Sequence, residues 1–400
     1  DSAEYPDAAI GYCLNAFGAE STDDCDLIVS DYIFRPEWHN DRSSSIRSAL
    51  SHSRNFAKRI GINHSIPADN IEFVNHHLAH ACSAFYSSGM EESAILVVDG
   101  HGTLAKGSAL NPKSTHSAFE TQSLFIGEKG SITCLESSAS TGIGMMYQAF
   151  TNFLGFGHLQ EGKTMGLAPY GSTSKEKLIQ FKTTFEGMNT DYSYLVDIWD
   201  KSKPVKQSDL VSCNNVLNQT NSYYSRIAYE VQAETERAML HLAQYAKKQT
   251  NRKSLCLAGG VALNSVANNS IVKDKSFDEV FIQPASSDTG IPLGCALHGY
   301  YHLMGGEKPW RMEHAYLGKP YSENEIKEAI NKNITDLEVT IDSDYKMTAE
   351  LLANGHIVAL FNGASEYGPR ALGHRSIVVD PRKAENKDIL NSKVKNREAF

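Results

Sequence analysis

Apolar residues fall in short bursts along this chain, some with a period near two and others near 3.6, and the two kinds alternate. Residues 26–31, 71–74, 94–98, 254–257 and 279–283 predict strands, with 94–98 the strongest and 254–257 buried. Residues 103–110 and 117–126 read as a meander, and Lys129-Gly130 as the hairpin turn before a strand at 131–136. Helical spacing appears at 8–17, about 76–88, 141–153, 225–250 and 290–304. Ser140 or Thr141 is the expected cap of the third of these, Gly155 and Gly157 its stop, and 262–267 the start of another helix. Residues 161–171 read as a Gly-rich segment leading into a lysine-bearing helix. Two polar stretches break the pattern: 32–70, a loop with one helix near 44–58, and 185–222, an insertion or lid. Near 305–309 the character changes, 311–320 reads as a connector, and 348–353 with 357–361 opens a second unit. Strands alternating with helices make this an α/β chain with some antiparallel meander. A strand ending in a Gly-containing turn occurs twice, at Asp99-Gly100 and Ala258-Gly259-Gly260, which points to two related halves around a cleft.

Candidate chemistry gathers at the strand ends. His76 and His80 lie four residues apart on a predicted helix, so both imidazoles share one face and can hold one divalent metal. Asp99 and Asp288, each where a strand passes into a loop, complete a mixed His/carboxylate set that suits iron, zinc or manganese more than calcium. A histidine pair at this spacing also arises without metal, and His77 faces elsewhere, toward packing or the support of a ligand. Gly100, Gly102 and Thr103 let backbone and hydroxyl approach a phosphate, although Asp99-Gly100 is also an ordinary turn. Gly259 and Gly260 before a helix start, with Asn264 following, favour an anion or nucleotide; close strand–helix packing is the plainer reading. The segment is neither a Walker loop nor a Gly-x-Gly-x-x-Gly fingerprint. Arg370 and Arg375, on a Gly/Pro-shaped turn, and Lys393 with Arg397 form a basic cluster suited to phosphate or carboxylate, or to a surface ion-pair network. No Gly-x-Ser-x-Gly elbow is present, so a hydrolase triad has no support.

Composition narrows the partners. Net charge is −9 with no long basic run, so a nucleic-acid surface is not indicated. No stretch of eighteen apolar residues exists, and the seven scattered cysteines include no Cys-x-x-Cys; a reducing, cytoplasmic setting is expected. At 400 residues, two or three domains are expected, and a homodimer stays open as the assembly.

Together, His76-His77-Leu78-Ala79-His80-Ala81, Val98-Asp99-Gly100, residues 161–171, 257–264, 286–293 and 368–375 resemble the O-carbamoyltransferases. That family includes the nodulation-factor, cephalosporin and aminoglycoside enzymes. The resemblance covers nearly the whole chain, in order. It implies an actin-like (ASKHA) two-lobed domain over 1–310, a connector over 311–345, and the start of a YrdC-like domain over 346–400. It implies ATP with Mg2+ and carbamoyl phosphate as substrates, carbamoyl adenylate as the activated donor, and transfer to a hydroxyl of a small natural-product or sugar-like acceptor. Carried over residue by residue, His76, His80, Asp99 and Asp288 match metal ligands, with iron the implied metal. Gly259, Gly260 and Asn264 match the nucleotide turn, and Gly162, Lys163 and Gly166 the substrate cleft. Arg370, Arg375, Lys393 and Arg397 match the carbamoyl phosphate or adenylate segment. His77 or His101 is the expected base for the acceptor hydroxyl.

Some positions depart from the family. Asn362-Gly363-Ala364 stands where it tends to have Gln-Gly-Arg. The chain opens on Asp1, after the usual first strand hairpin, and an Arg-Pro-Phe-Ala-type motif is expected beyond Phe400, so both ends read as cuts in a longer protein. Rival readings are a tRNA threonylcarbamoyl-transfer enzyme, an actin-like sugar kinase without the histidine pair, and a non-catalytic nucleotide-responsive scaffold.

Overall fold

The computed structural model describes residues 7–19, 24–32, 71–103, 119–172, 177–195, 222–307, 310–333, 338–339 and 345–400. The helix expected near 44–58, the strand at 103–110 beyond Thr103, and most of 185–222 lie outside them.

A mixed five-stranded sheet organises the chain. Its strands are β3 (Glu92–Val98), β4 (Gln122–Glu128), β5 (Ser131–Ser138), β6 (Ser254–Ala258) and β7 (Glu279–Ile282), in the order β5-β4-β3-β6-β7. β3 runs antiparallel to β4 and parallel to β6, which is parallel to β7. The apolar run in β3 follows from burial on both faces: every residue from Ser93 to Val98 is inaccessible. Edge strand β5 has only exposed and half-buried positions and is largely polar to match. The hairpin between β4 and β5 turns on Lys129 and Gly130 with φ of 50° and 77°, the left-handed pair that such a tight turn favours.

Helices cover both faces. On one side α2 (His76–Ser88) packs Ala81, Cys82, Ala84 and Phe85 on Ile95, Val97, Phe125 and Cys256. On the other, α3 (Ile143–Phe153) and α5 (Tyr223–Thr250) set Ile143, Met146, Phe150, Val231, Met239 and Leu242 against Leu96, Val98 and Leu124. A separate parallel pair, β1 (Ile28–Tyr32) with β2 (Ile71–Asn75), feeds straight into α2, whose first turn is capped by the Asn75 side chain on Leu78 N–H. Helix α1 (Asp7–Ala16) precedes β1.

Several expectations change in detail. The Gly-rich stretch 161–171 is a helix, α4 (Glu161–Leu167), followed by a short 3-10 turn; burial of Thr164 and Leu167 outweighs the low helix propensity of Gly162 and Gly166. Helix α3 starts after Gly142 rather than Ser140 or Thr141, and the Ser140 and Thr141 carbonyls accept from Thr121 and Tyr192. A 3-10 turn at Gly260–Leu263 delays the next helix, α6 (Ser265–Asp274), by three residues from the expected 262. The helix at 290–304 is α7 (Ile291–His298), widened into a π turn at Gly299–Leu303.

C-terminal to this body, α8 (Glu323–Lys332) lies within the expected connector, and α9 (Lys346–Ala353) precedes an antiparallel pair, β8 (Val358–Phe361) with β9 (Arg375–Val378). The tail returns to the first unit. Phe400 packs on the Phe156 and Tyr170 rings and on the open face of Gly166, and Glu398 pairs with Lys163 at 2.7 Å. No described helix is long and apolar enough to cross a membrane.

Candidate metal and nucleotide centre

β3 and β6 are neighbours and parallel, so their carboxyl ends open at one edge, the usual position for a ligand on such a sheet. Asp99 follows β3, Gly259 follows β6, and the first turn of α2 faces both. Four side chains converge there: His76, His80, Asp99 and Asp288 each offer one ligand atom, all within 4.8 Å of one another. Nε2 of His76 lies 3.3 Å from Asp99 Oδ2 and 3.5 Å from Asp288 Oδ1. Nε2 of His80 lies 3.4 and 3.6 Å from the same two oxygens. The histidine rings meet edge to face, 4.7 Å between centroids.

The donor set fits a divalent ion. Nε2 of His80 is fully buried without a hydrogen-bond partner, an expensive arrangement unless something else occupies the convergence point. Electrostatics point the same way. Burial opposes charge on His76, but Asp288, Asp31 and Asp99 outweigh it and push its pKa up to about 11. His80 is raised by Asp288 and Asp99 against the same burial. His76 and His80 hold Asp288 down at about 2, and they keep Asp99 well below the carboxylate range despite its burial. Two carboxylates thus make a focus of negative potential between two imidazoles, which protons or a cation can fill.

Asp99 also reaches the glycine turn. Its Oδ1 accepts from Gly260 N–H at 2.9 Å. Gly259 has φ +90°, and a side chain there would drive Cβ to 2.2 Å from the Val98 carbonyl. Gly144 also packs on the Asp99 backbone, where a Cβ would lie 2.7 Å from its carbonyl oxygen.

The other expected residues are distributed around this edge. Thr103 Oγ1 accepts from His76 N–H at 3.0 Å, and Gly102 N–H donates to the Glu120 carbonyl while packing against the His77 ring. Gly100 has open space where a side chain would stand. His77 is buried and its Nδ1 meets Ser123 Oγ at 2.7 Å; burial lowers its pKa to about 3, so it is neutral. A chain of hydroxyls runs on through Ser137 to Glu120. His101 is exposed, its ring edge-on to Phe119. Asn264 caps α6 through Ala267 N–H and exchanges two hydrogen bonds with Gln232, itself held by the Tyr147 hydroxyl. Gly162 lies in α4 with open space around it.

Arg370 donates to the Leu263 carbonyl at 3.1 Å and so touches the glycine turn from the second unit. Arg375 stacks 3.6 Å over the Phe361 ring and donates to the carbonyls of Asn362, Gly363 and His374. Its fork shapes the loop. Lys393 and Arg397 stand in and just after the π turn Leu390–Lys395. Two residues that motif spacing does not reveal belong to this arrangement. Asp31 holds Nδ1 of His76 at 2.8 Å, and Glu366 Oε1 accepts from the N–H groups of Leu372, His374 and Arg375.

Comparison with known proteins places these features in a family setting. Family models described as "Carbamoyltransferase N-terminus" and "Carbamoyltransferase C-terminus" match residues 13–297 and 349–400. Nodulation protein NolNO of Sinorhizobium fredii is 32% identical over 84% of this chain and 47% of its own length. A 3'-hydroxymethylcephem-O-carbamoyltransferase of Streptomyces clavuligerus is 29% identical over 42% of this chain and 30% of its own. Among solved structures, full-length HypF in its phosphate- and nucleotide-bound form aligns with a TM-score of 0.45 at 15% identity, covering 76% of this chain and 50% of that one; so distant a likeness carries no argument. The chain spans about half the length of the curated relatives it matches.

Proposed function

The chain belongs to the carbamoyltransferase family, and from that premise we propose that the edge shared by β3 and β6 is the transfer centre of a cytoplasmic O-carbamoyltransferase. The observation that carries the reading is Asp99, which faces both histidines through one oxygen and the Gly260 amide through the other. A cation focus and a backbone turn suited to a nucleotide are thereby built from one carboxylate.

In this reading the chain comprises an actin-like domain over 1–310, a connector over 311–345 and the opening part of a YrdC-like domain over 346–400. ATP, as its Mg2+ complex, carbamoyl phosphate and one water give carbamoyl adenylate, pyrophosphate and inorganic phosphate, with carbamate as the species that attacks the α-phosphate. The carbamoyl group then passes to a hydroxyl of a small-molecule acceptor, with release of AMP. A divalent ion held by His76, His80, Asp99 and Asp288, iron by the family resemblance, supplies Lewis acidity toward a carbamoyl or phosphoryl oxygen. Gly259 and Gly260 let backbone approach the nucleotide, with Gly100, Gly102 and Thr103 on the facing turn. Arg370 stands at the junction as a cation for phosphate, and Lys163 and the tail lie along the cleft wall. Exposed His101 is the acceptor-hydroxyl base in this scheme, because His77 is fully buried, bonded to Ser123 and lowered to a pKa of about 3, too weak a base for an alcohol proton. Acidic net charge supports a small-molecule acceptor over a tRNA.

The test incubates the intact protein with carbamoyl phosphate, ATP, Mg2+ and ferrous iron and looks for carbamoyl adenylate and pyrophosphate by mass spectrometry. Absence of the adenylate sinks the reading. His80→Ala is expected to abolish transfer while adenylate formation persists.

A further inference from the structure

The two histidines of the cluster are not equivalent. Asp31 lies on β1 opposite Val74 in register, which sets it beside the start of α2. Its Oδ2 sits 2.8 Å from Nδ1 of His76, on a ring only 1% exposed. A carboxylate at that distance selects the tautomer with the proton on Nδ1, so the lone pair lies on Nε2, the nitrogen aimed at Asp99 and Asp288. His76 is also fixed through its backbone, whose N–H donates to Thr103 Oγ1. His80 has no such backing: among the described residues its Nδ1 is buried without a partner.

We infer that Asp31 is a positioning residue that orients His76 and strengthens it as a donor to a divalent ion. The inference rests on the metal reading of the cluster. A carboxylate behind an imidazole fixes the ring's rotation and raises its basicity, and loss of such a partner weakens metal binding by about 10–100-fold. His76 is then the anchoring imidazole, and His80 is positioned by helix geometry alone. The competing account is a plain ion pair fastening β1 to α2, which would affect stability and leave metal binding alone.

The two accounts separate with Co2+ as the probe. Chelator-stripped wild type, Asp31→Asn, Asp31→Ala and His80→Ala are titrated with Co2+, following its visible bands, alongside thermal melts without metal. Asp31→Ala is expected to bind about 10–100-fold more weakly, with altered bands. Asp31→Asn is expected to fall between it and wild type, because the amide oxygen still accepts from Nδ1–H but carries no charge. Should Asp31→Ala fail to fold, Asp31→Asn decides alone, and wild-type affinity with unchanged bands in it overturns the inference. A folded Asp31→Ala with wild-type affinity and lowered melting overturns it too, leaving the ion pair. Wild-type protein that binds Co2+ no better than His80→Ala removes the metal reading itself, and the inference with it.

Discussion

Asp99 joins the Gly260 amide to the histidine pair: Oδ1 accepts from Gly260 N–H at 2.9 Å while Oδ2 stands 3.3 Å from His76 and 3.4 Å from His80. The register of β3 on β6 makes this possible, because Val97 pairs with Ala258, the last residue of β6, and β3 ends one residue later at Val98. Occupancy on one side of Asp99 therefore bears on the shape of the turn on the other.

Removing a donor tests the cluster directly. His80→Ala is expected to lose the bound divalent ion, measured by elemental analysis after desalting. Wild type at about 100 times its Kd of added metal gains about 2.7 kcal/mol of stability; the variant gains none, which paired melts with metal and with chelator would read.

A substitution at Gly259 tests the turn. Gly259→Ala meets the Val98 carbonyl at 2.2 Å from a residue at φ +90°. The turn must shift or the sheet edge must open, at a cost of about 1–3 kcal/mol. Urea unfolding should show it, and metal affinity should fall as the Asp99–Gly260 hydrogen bond is displaced.

Metal and pH are linked with a definite sign. In metal-free protein the folded pKa of His76 is raised to about 11 from an ordinary 6.5. Its contribution to stability is complete below 6.5 and lost as pH rises toward 11. A bound ion replaces the protons, so the loaded protein keeps that contribution and binding tightens over the same window. Melting curves from pH 7 to 10 with chelator should fall, and those with metal should not.

Glu366 governs the Arg370–Arg375 loop. Backbone N–H groups, Leu372 foremost, hold its carboxyl down to about 2. The restraint is present above pH 4.5 and lost as pH falls toward 2. At neutral pH, Glu366→Ala should release the amides of Leu372, His374 and Arg375, seen as faster hydrogen exchange at those three positions.

The sheet centre and the histidine pair were legible because each is written locally. β3 is apolar from Ala94 to Val98 since helices cover both its faces, and His76 and His80 share one helix face by spacing alone. Asp31 was not legible: it acts on a residue 45 positions away, through a β1–β2 pairing that no local period records. Residues 161–171 misled for the opposite reason, since their glycines look like a loop while Thr164 and Leu167 are drawn into the core. Helix α8 does carry a local signature, the reciprocal cap between Ser322 and Glu325, which apolar periodicity passes over. The engagement of Arg375 with three carbonyls depends on a β8–β9 pairing that a motif alone does not specify.

Three of the four donors are walled into the core, whereas the Asp288 side chain is 72% exposed. Among the described residues, the Asp288 side is the open side of such a seat. Exchange with solution would then run past that one carboxylate, and a chelator is expected to empty the seat while the sheet behind it stays folded.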